Sequence, residues 1–148
     1  MAGIEIDSRQ VVAALNALMD RGQDLRKPLE ELGEYFIVST KRRFEEQQAP
    51  DGTPWPANSP VTLARKSHSD PLIGETRRLH DEIHYVVDQG ALEWGSSLVY
   101  AAMQQFGGTP EEFPQLWGDV PAREFLGVSD VDNTVILETL RDWLEDPI

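Results

Sequence analysis

Cysteine is missing from all 148 residues, which removes disulfide frameworks and thiolate metal sites from consideration. Long hydrophobic runs are missing too: no apolar stretch approaches the roughly 20 residues that a membrane span requires. The opening residues Met1-Ala2-Gly3-Ile4-Glu5 lack the basic and apolar regions of a secretory signal. The expectation is a soluble chain, made and kept in a cytoplasm or carried in a particle assembled there. Basic residues are scarce in one half only. Residues 1–78 hold 11 Lys/Arg against 12 Asp/Glu, whereas residues 79–148 hold only Arg123 and Arg141 against 14 acids. Nearly all of the net charge of −13 therefore lies in the second half. So acidic a half repels nucleic-acid phosphates and argues against direct DNA recognition.

Reaction chemistry is equally hard to find. No Gly-x-Ser-x-Gly elbow, phosphate-binding loop or dinucleotide fingerprint occurs. His80 and His84 stand four apart, but the glutamate pattern of a zinc protease is absent and a strand begins near Ile83. Carboxylate pairs such as Glu30-Glu31, Glu45-Glu46 and Glu111-Glu112 fall on polar helix faces or in a loop. Nothing there raises a pKa for acid catalysis. The expectation is a non-enzyme without metal or cofactor.

What is present organises as one domain over residues 1–148, of α+β class: helices packed on a small antiparallel sheet, with long loops. The sheet is expected to be a β-hairpin over 83–96, turning at Gln89-Gly90, joined by an N-terminal strand at Gly3–Asp7. Asp7 or Ser8 can cap a first helix with Val11, Val12, Leu15, Leu18 and Met19 on one face. A second helix starts near Pro28 and runs to about Glu46, with Leu29, Leu32, Phe36 and Phe44 at helical spacing. Gly33 inside it suggests close packing against a neighbour. Short helices are expected at Ser59–Arg65, near Glu75–Asp81 and over Tyr100–Phe106. Ser129 or Asp130 caps a last helix carrying Ile136, Leu137, Leu140, Trp143 and Leu144.

Two segments invite a binding role. Lys41-Arg42-Arg43 is a basic cluster in the last turn of the second helix, where cations also favour the helix dipole. Beyond it, Pro50-Asp51-Gly52-Thr53-Pro54-Trp55 forms a rigid turn: the prolines fix two backbone angles, Asp51 can close an Asx-turn, and Gly52 supplies positive φ. The loop 109–121 holds three prolines together with Phe113, Leu116 and Trp117. The aromatics Trp55, Phe113 and Trp117 can serve either as core or as contacts to another subunit.

The turn belongs to an ordered series. It continues through Thr76-Arg77-Arg78-Leu79, Gly95-Ser96, Tyr100-Ala101, Gln105-Phe106-Gly107 and Pro121-Ala122-Arg123-Glu124-Phe125-Leu126-Gly127. This series resembles the phage virion morphogenesis family, the tail-completion proteins of Mu-like and related tailed phages. Arg77 stands where the family tends to have glycine, and Glu124 where it tends to have proline. The resemblance implies a structural virion protein, assembled in the bacterial host cytoplasm, that completes the tail and enables head–tail joining. It implies a homo-oligomeric ring at the neck, six subunits to match tail symmetry, touching connector and tail-tube proteins. DNA would pass through it without being specifically bound. Trp55, Asp51, Phe113, Trp117 and Arg123 are then the expected interface residues, with Arg123 paired to a carboxylate of its own or a neighbouring subunit. Two other readings stay open: a small cytoplasmic protein-binding adaptor, and a DNA-binding regulator using Lys41–Arg43.

Overall fold

The computed structural model describes residues 8–57, 78–98, 101–112 and 121–145. The expected N-terminal strand and the expected helix at Ser59–Arg65 lie outside the described residues. Among those described, five helices and a two-stranded antiparallel sheet give an α+β fold.

Helix α1 (Arg9–Asp20) begins at Ser8, whose hydroxyl accepts from the Val11 N–H. Leu18 is buried from its inward face, with Val11 and Leu15 beside it, while Val12 and Met19 turn out to be exposed. Helix α2 (Arg26–Glu46) is the longest element and runs through both parts of the core. Leu29, Leu32 and Phe36 in its first half meet Leu18, Ile136 and Leu140. Phe44 near its end meets Trp55, Leu79, Ile83, Ala101, Phe125 and Leu126. A short helix α3 (Arg78–Asp81) leads into strands β1 (His84–Asp88) and β2 (Ala91–Gly95). Helix α4 (Ala101–Phe106) follows, and α5 (Asp130–Glu145) closes the described chain against α1 and α2.

The hairpin lies over α2, with Tyr85 paired to Trp94 and Val87 to Leu92 on its half-buried face. Trp94 stacks on Phe36 at 4.2 Å between centroids, and it touches both parts of the core. Gly33 is where Tyr85 crosses the helix: a Cβ there would stand 2.5 Å from the ring, so the expected close packing is present. The two-residue turn has φ of 50° at Gln89 and 74° at Gly90, the type I′ pattern that matches the twist of the strands. Glutamine fits the left-handed region poorly, and asparagine enters it readily. Gln89→Asn should therefore stabilise the fold by up to about 1 kcal/mol in urea unfolding; an unchanged midpoint would mean that Gln89 carries no turn strain.

Candidate functional site

The motif segments, scattered over eighty residues of sequence, converge on one another. Helix α2 ends at Gln47, which takes φ 59° and donates its N–H to the Arg43 carbonyl at 2.8 Å. The chain then folds back as a small loop. Ala49 donates to Thr53 O at 2.8 Å, Gly52 to Ala49 O at 2.9 Å, and Trp55 to Gln47 O at 2.8 Å. Asp51 accepts from the Thr53 N–H at 2.9 Å, the expected Asx-turn, and this bond holds its exposed carboxyl below the usual range. Gly52, at φ 89°, supplies the positive φ.

This loop carries Trp55 inward. Its side chain is 7% exposed and meets Phe44 edge-on at 5.4 Å, and Phe44 lies 5.5 Å from Phe125. The indole N–H donates to the Glu124 carbonyl at 2.8 Å. Of the two roles open to Trp55 in the sequence, core packing is the one its position matches. Glu124 contributes its backbone carbonyl, which any residue type would offer at this position.

Residues 121–127 are held from every side. Arg123, 7% exposed, donates through Nε to Pro56 O at 2.8 Å and through Nη2 to Ala57 O at 3.0 Å. Its own N–H donates to Gln104 O at 2.8 Å. Among the described residues it meets no carboxylate, so the expected ion pair within the chain is replaced by two backbone carbonyls; burial draws its pKa down. The buried Gln105 amide accepts from the N–H groups of Phe125 at 3.1 Å and Leu126 at 3.0 Å. It returns an N–H to Leu126 O at 3.1 Å. Gly127 lies against the turn itself: a Cβ would stand 2.6 Å from Pro50 Cγ. A proline ring cannot swing away, so only glycine lets the two segments approach this closely.

Below the same segment lies an ion pair absent from the sequence-based expectations. Arg43, the inner member of the basic cluster, is 5% exposed and pairs with Asp132, 2% exposed. It also donates to Phe125 O at 3.0 Å and Ser39 Oγ at 3.2 Å. Asp132 accepts in addition from Tyr35 Oη at 2.6 Å, Ser39 Oγ at 2.8 Å and Ser129 N at 3.0 Å. Ser129 Oγ accepts from the Asp132 N–H at 3.0 Å, completing a reciprocal cap on α5. Burial pushes the Asp132 carboxyl up, but the Ser129 N–H, the two hydroxyls and the Arg43 charge outweigh it and hold the pKa below the usual range. Burial and the hydrogen bond to Asp132 push the Tyr35 phenol to about 12.

The basic cluster is thus divided: Arg43 points inward, Lys41 is half-buried, and Arg42 alone is exposed. Arg42 edges a shallow cleft of about 280 Å³ between α2, the 50–52 turn and the start of α5, with Tyr35, Ser39 and Asp132 lining it and Val131 at its mouth. Phe113 and Trp117 lie outside the described residues. Among the described residues no group of three or more His, Asp or Glu is placed to hold a metal ion, and no helix is long and apolar enough to cross a membrane.

Sequence reading missed Tyr35, Ser39 and Asp132, and it assigned no role to Gln105. The signal for two of the network's members was periodicity. Asp132 stands four and eight residues before Ile136 and Leu140, and Arg43 continues the Leu29, Leu32, Phe36, Ser39 stripe of α2. Charges on buried stripes call for each other.

The model of the phage virion morphogenesis family matches residues 6–145. The chain belongs to that family. It is also 30% identical over 145 residues to capsid assembly protein G of Escherichia phage Mu, covering 93% of this chain and 90% of that protein. No solved structure matches it. A morphogenesis protein of a phage is accordingly what the chain is, with a structural role in building the virion.

Proposed function

We propose that this chain completes the upper end of the tail and makes it competent to join a DNA-filled head, acting as a ring at the neck around the DNA channel. The observation that carries the reading is how the family's motifs are spent. Trp55, Gln105, Arg123 and Gly127 all act inside the molecule, fixing the 121–127 segment against the 47–57 loop. Motif residues used in this way hold a shape, which suits a part that other rings stack upon. The acidic outer face of α5, with Glu138, Asp142 and Glu145 exposed, suits a wall that DNA slides past without being held.

The Mu relative is named for capsid assembly, which favours a second reading, a role in forming the head. One experiment separates the two. Lysates of a phage lacking this gene should contain filled heads and full-length tails that remain unjoined, and adding the purified protein should restore infectious particles. Lysates with complete tails but no filled heads would replace the neck reading with the capsid one.

A further inference from the structure

Asp51-Gly52 is the one Asp-Gly pair in the chain, and no Asn-Gly occurs. Such a pair is where a polypeptide most readily rewrites its own backbone, because glycine has no side chain to screen its nitrogen from the carboxyl before it. The Gly52 nitrogen bonds to Asp51 Cγ, and one carboxyl oxygen leaves as water, taking the amide proton and the carboxyl's own. The five-membered succinimide then takes up water at either carbonyl. Attack at Cγ restores aspartate. Attack at the main-chain carbon gives isoaspartate, whose backbone runs through Cβ and is one carbon longer. Both residues are exposed, and no atom beyond the chain neighbours lies within 4 Å of the place for a Gly52 Cβ, so water reaches the pair.

We propose that Asp51-Gly52 is a latent isoaspartate site, held shut by the geometry of the folded loop and opened when the loop leaves the 121–127 segment. Gly52 donates its N–H to Ala49 O at 2.9 Å, which makes Pro50 and Asp51 the central residues of a β-turn. The described non-glycine residues with positive φ are Gln47 and Gln89, so Asp51 has negative φ and the turn is type I, with Asp51 ψ close to zero. The Gly52 nitrogen is then eclipsed with Asp51's own nitrogen, whereas ring closure needs it eclipsed with Asp51 Cβ, a long rotation away about the Cα–C bond. The same hydrogen bond occupies the proton that closure must release. The carboxyl is drawn the other way, to the Thr53 N–H at 2.9 Å, and this bond favours the ionised form, which gives up an oxygen least readily. From outside, Pro50 is wedged against Gly127 and Trp55 is tied to the Glu124 carbonyl, so the loop cannot turn over alone. The turn requires both members of the labile pair, aspartate for its Asx-turn and glycine at φ 89°. Isoaspartate would undo that turn, since the added main-chain carbon puts the Ala49–Thr53 and Gln47–Trp55 hydrogen bonds out of register. The inference rests on this geometry and is independent of the neck reading.

The test ages the full chain at neutral pH and counts isoaspartate at position 51 by peptide mapping with enzymatic methyl labelling. One sample stays folded and the other is held unfolded in guanidinium chloride. The folded chain should isomerise at least about tenfold more slowly, because closure waits for the loop to open. Asp51→Asn separates geometry from charge. Its side-chain oxygen can accept from the Thr53 N–H as the carboxylate does, it carries no charge, and it closes to the same ring with ammonia leaving, which is read as a mass change. Folded Asp51→Asn should also react at least about tenfold more slowly than its own unfolded chain. Gly127→Ala drives a methyl group into Pro50 and should raise the folded rate severalfold at a temperature where circular dichroism shows the chain still folded. Where that variant does not fold, Trp55→Phe serves in its place, losing the indole tie and keeping the ring contact. Equal rates in the folded and unfolded wild-type chain would overturn the proposal. A folded Asp51→Asn chain that reacts as fast as its unfolded form would overturn the geometric lock and leave charge as the protection. An opening variant that isomerises at the wild-type rate would overturn the part assigned to the 121–127 segment.

Discussion

Arg43→Ala should cost about 3–5 kcal/mol of unfolding free energy, because it strands a carboxylate beneath the surface. Asp132 is 2% exposed, and its bonds from Tyr35, Ser39 and Ser129 remain, but no positive charge is left to offset its burial. Asp132→Ala should cost as much or more. The stranded guanidinium of Arg43 would keep only Phe125 O and Ser39, while Tyr35, Ser39 and the Ser129 N–H lose their acceptor. Replacing both residues should cost less than the sum of the single effects, since each single variant leaves the other charge unpaired. Additive costs in urea unfolding would show that the two side chains act independently.

The same pair sets an acid limit. The folded Asp132 carboxyl titrates below its unfolded value of about 3.9. Its contribution is therefore complete above about pH 4 and is lost as the pH falls through the lower folded value. In that interval the unfolded chain holds the extra proton, so stability climbs as pH rises. Asp132→Asn should flatten this limb. Tyr35 acts in the opposite direction: with its pKa raised from 10.0 to about 12, its contribution is complete below pH 10 and declines as the pH rises toward 12. Tyr35→Phe should remove that alkaline decline and, by taking away one of the two hydroxyls that hold the Asp132 pKa down, weaken the acid limb without abolishing it.

The long elements were legible because their apolar residues repeat. Helix α2, the hairpin with its Gln89-Gly90 turn and the final helix stand where periodicity and capping place them. The expected close approach at Gly33 is present as well. Charges were harder to assign. Arg43 looked like a cation favouring a helix dipole, a local reason sufficient for its position, yet its real partner is 89 residues further along. Arg123 reads as half of an ion pair, within its own chain or with a neighbouring subunit; among the described residues of its own chain its acceptors are carbonyls at Pro56 and Ala57, and any residue type can supply a carbonyl. Gln105 reads as an ordinary polar residue until Phe125 and Leu126 are brought beside it. For Arg123 and Gln105 the missing information was a long-range backbone contact, which leaves no trace in side-chain spacing; for Arg43 and Asp132 the spacing places each on a buried stripe but does not say which stripes meet.

Trp55→Ala should destabilise the fold by about 3–5 kcal/mol, on the scale of a large aromatic removed from a packed core. The tryptophan fills the space between Phe44 and the 121–127 segment, and its indole N–H is the direct tie from the Pro-Asp-Gly loop to Glu124. Deleting it opens a cavity and leaves a carbonyl short of one donor. Trp55→Phe separates these effects: most of the apolar contact survives while the N–H is lost, so the cost should fall to about 1–2 kcal/mol. The functional consequence follows from the position of the residue. On the proposed neck role, if Trp55 acts through the fold, both variants should join heads to tails normally at low temperature, where enough folded protein remains, and fail as temperature rises, Trp55→Ala first. Unfolding curves and counts of joined particles, taken over the same temperatures, should then fall together. A Trp55→Ala protein that unfolds like the wild type yet blocks joining at every temperature would return Trp55 to the surface as a contact for a neighbouring ring. That outcome would require the 47–57 loop to leave Phe44 and Glu124 during assembly.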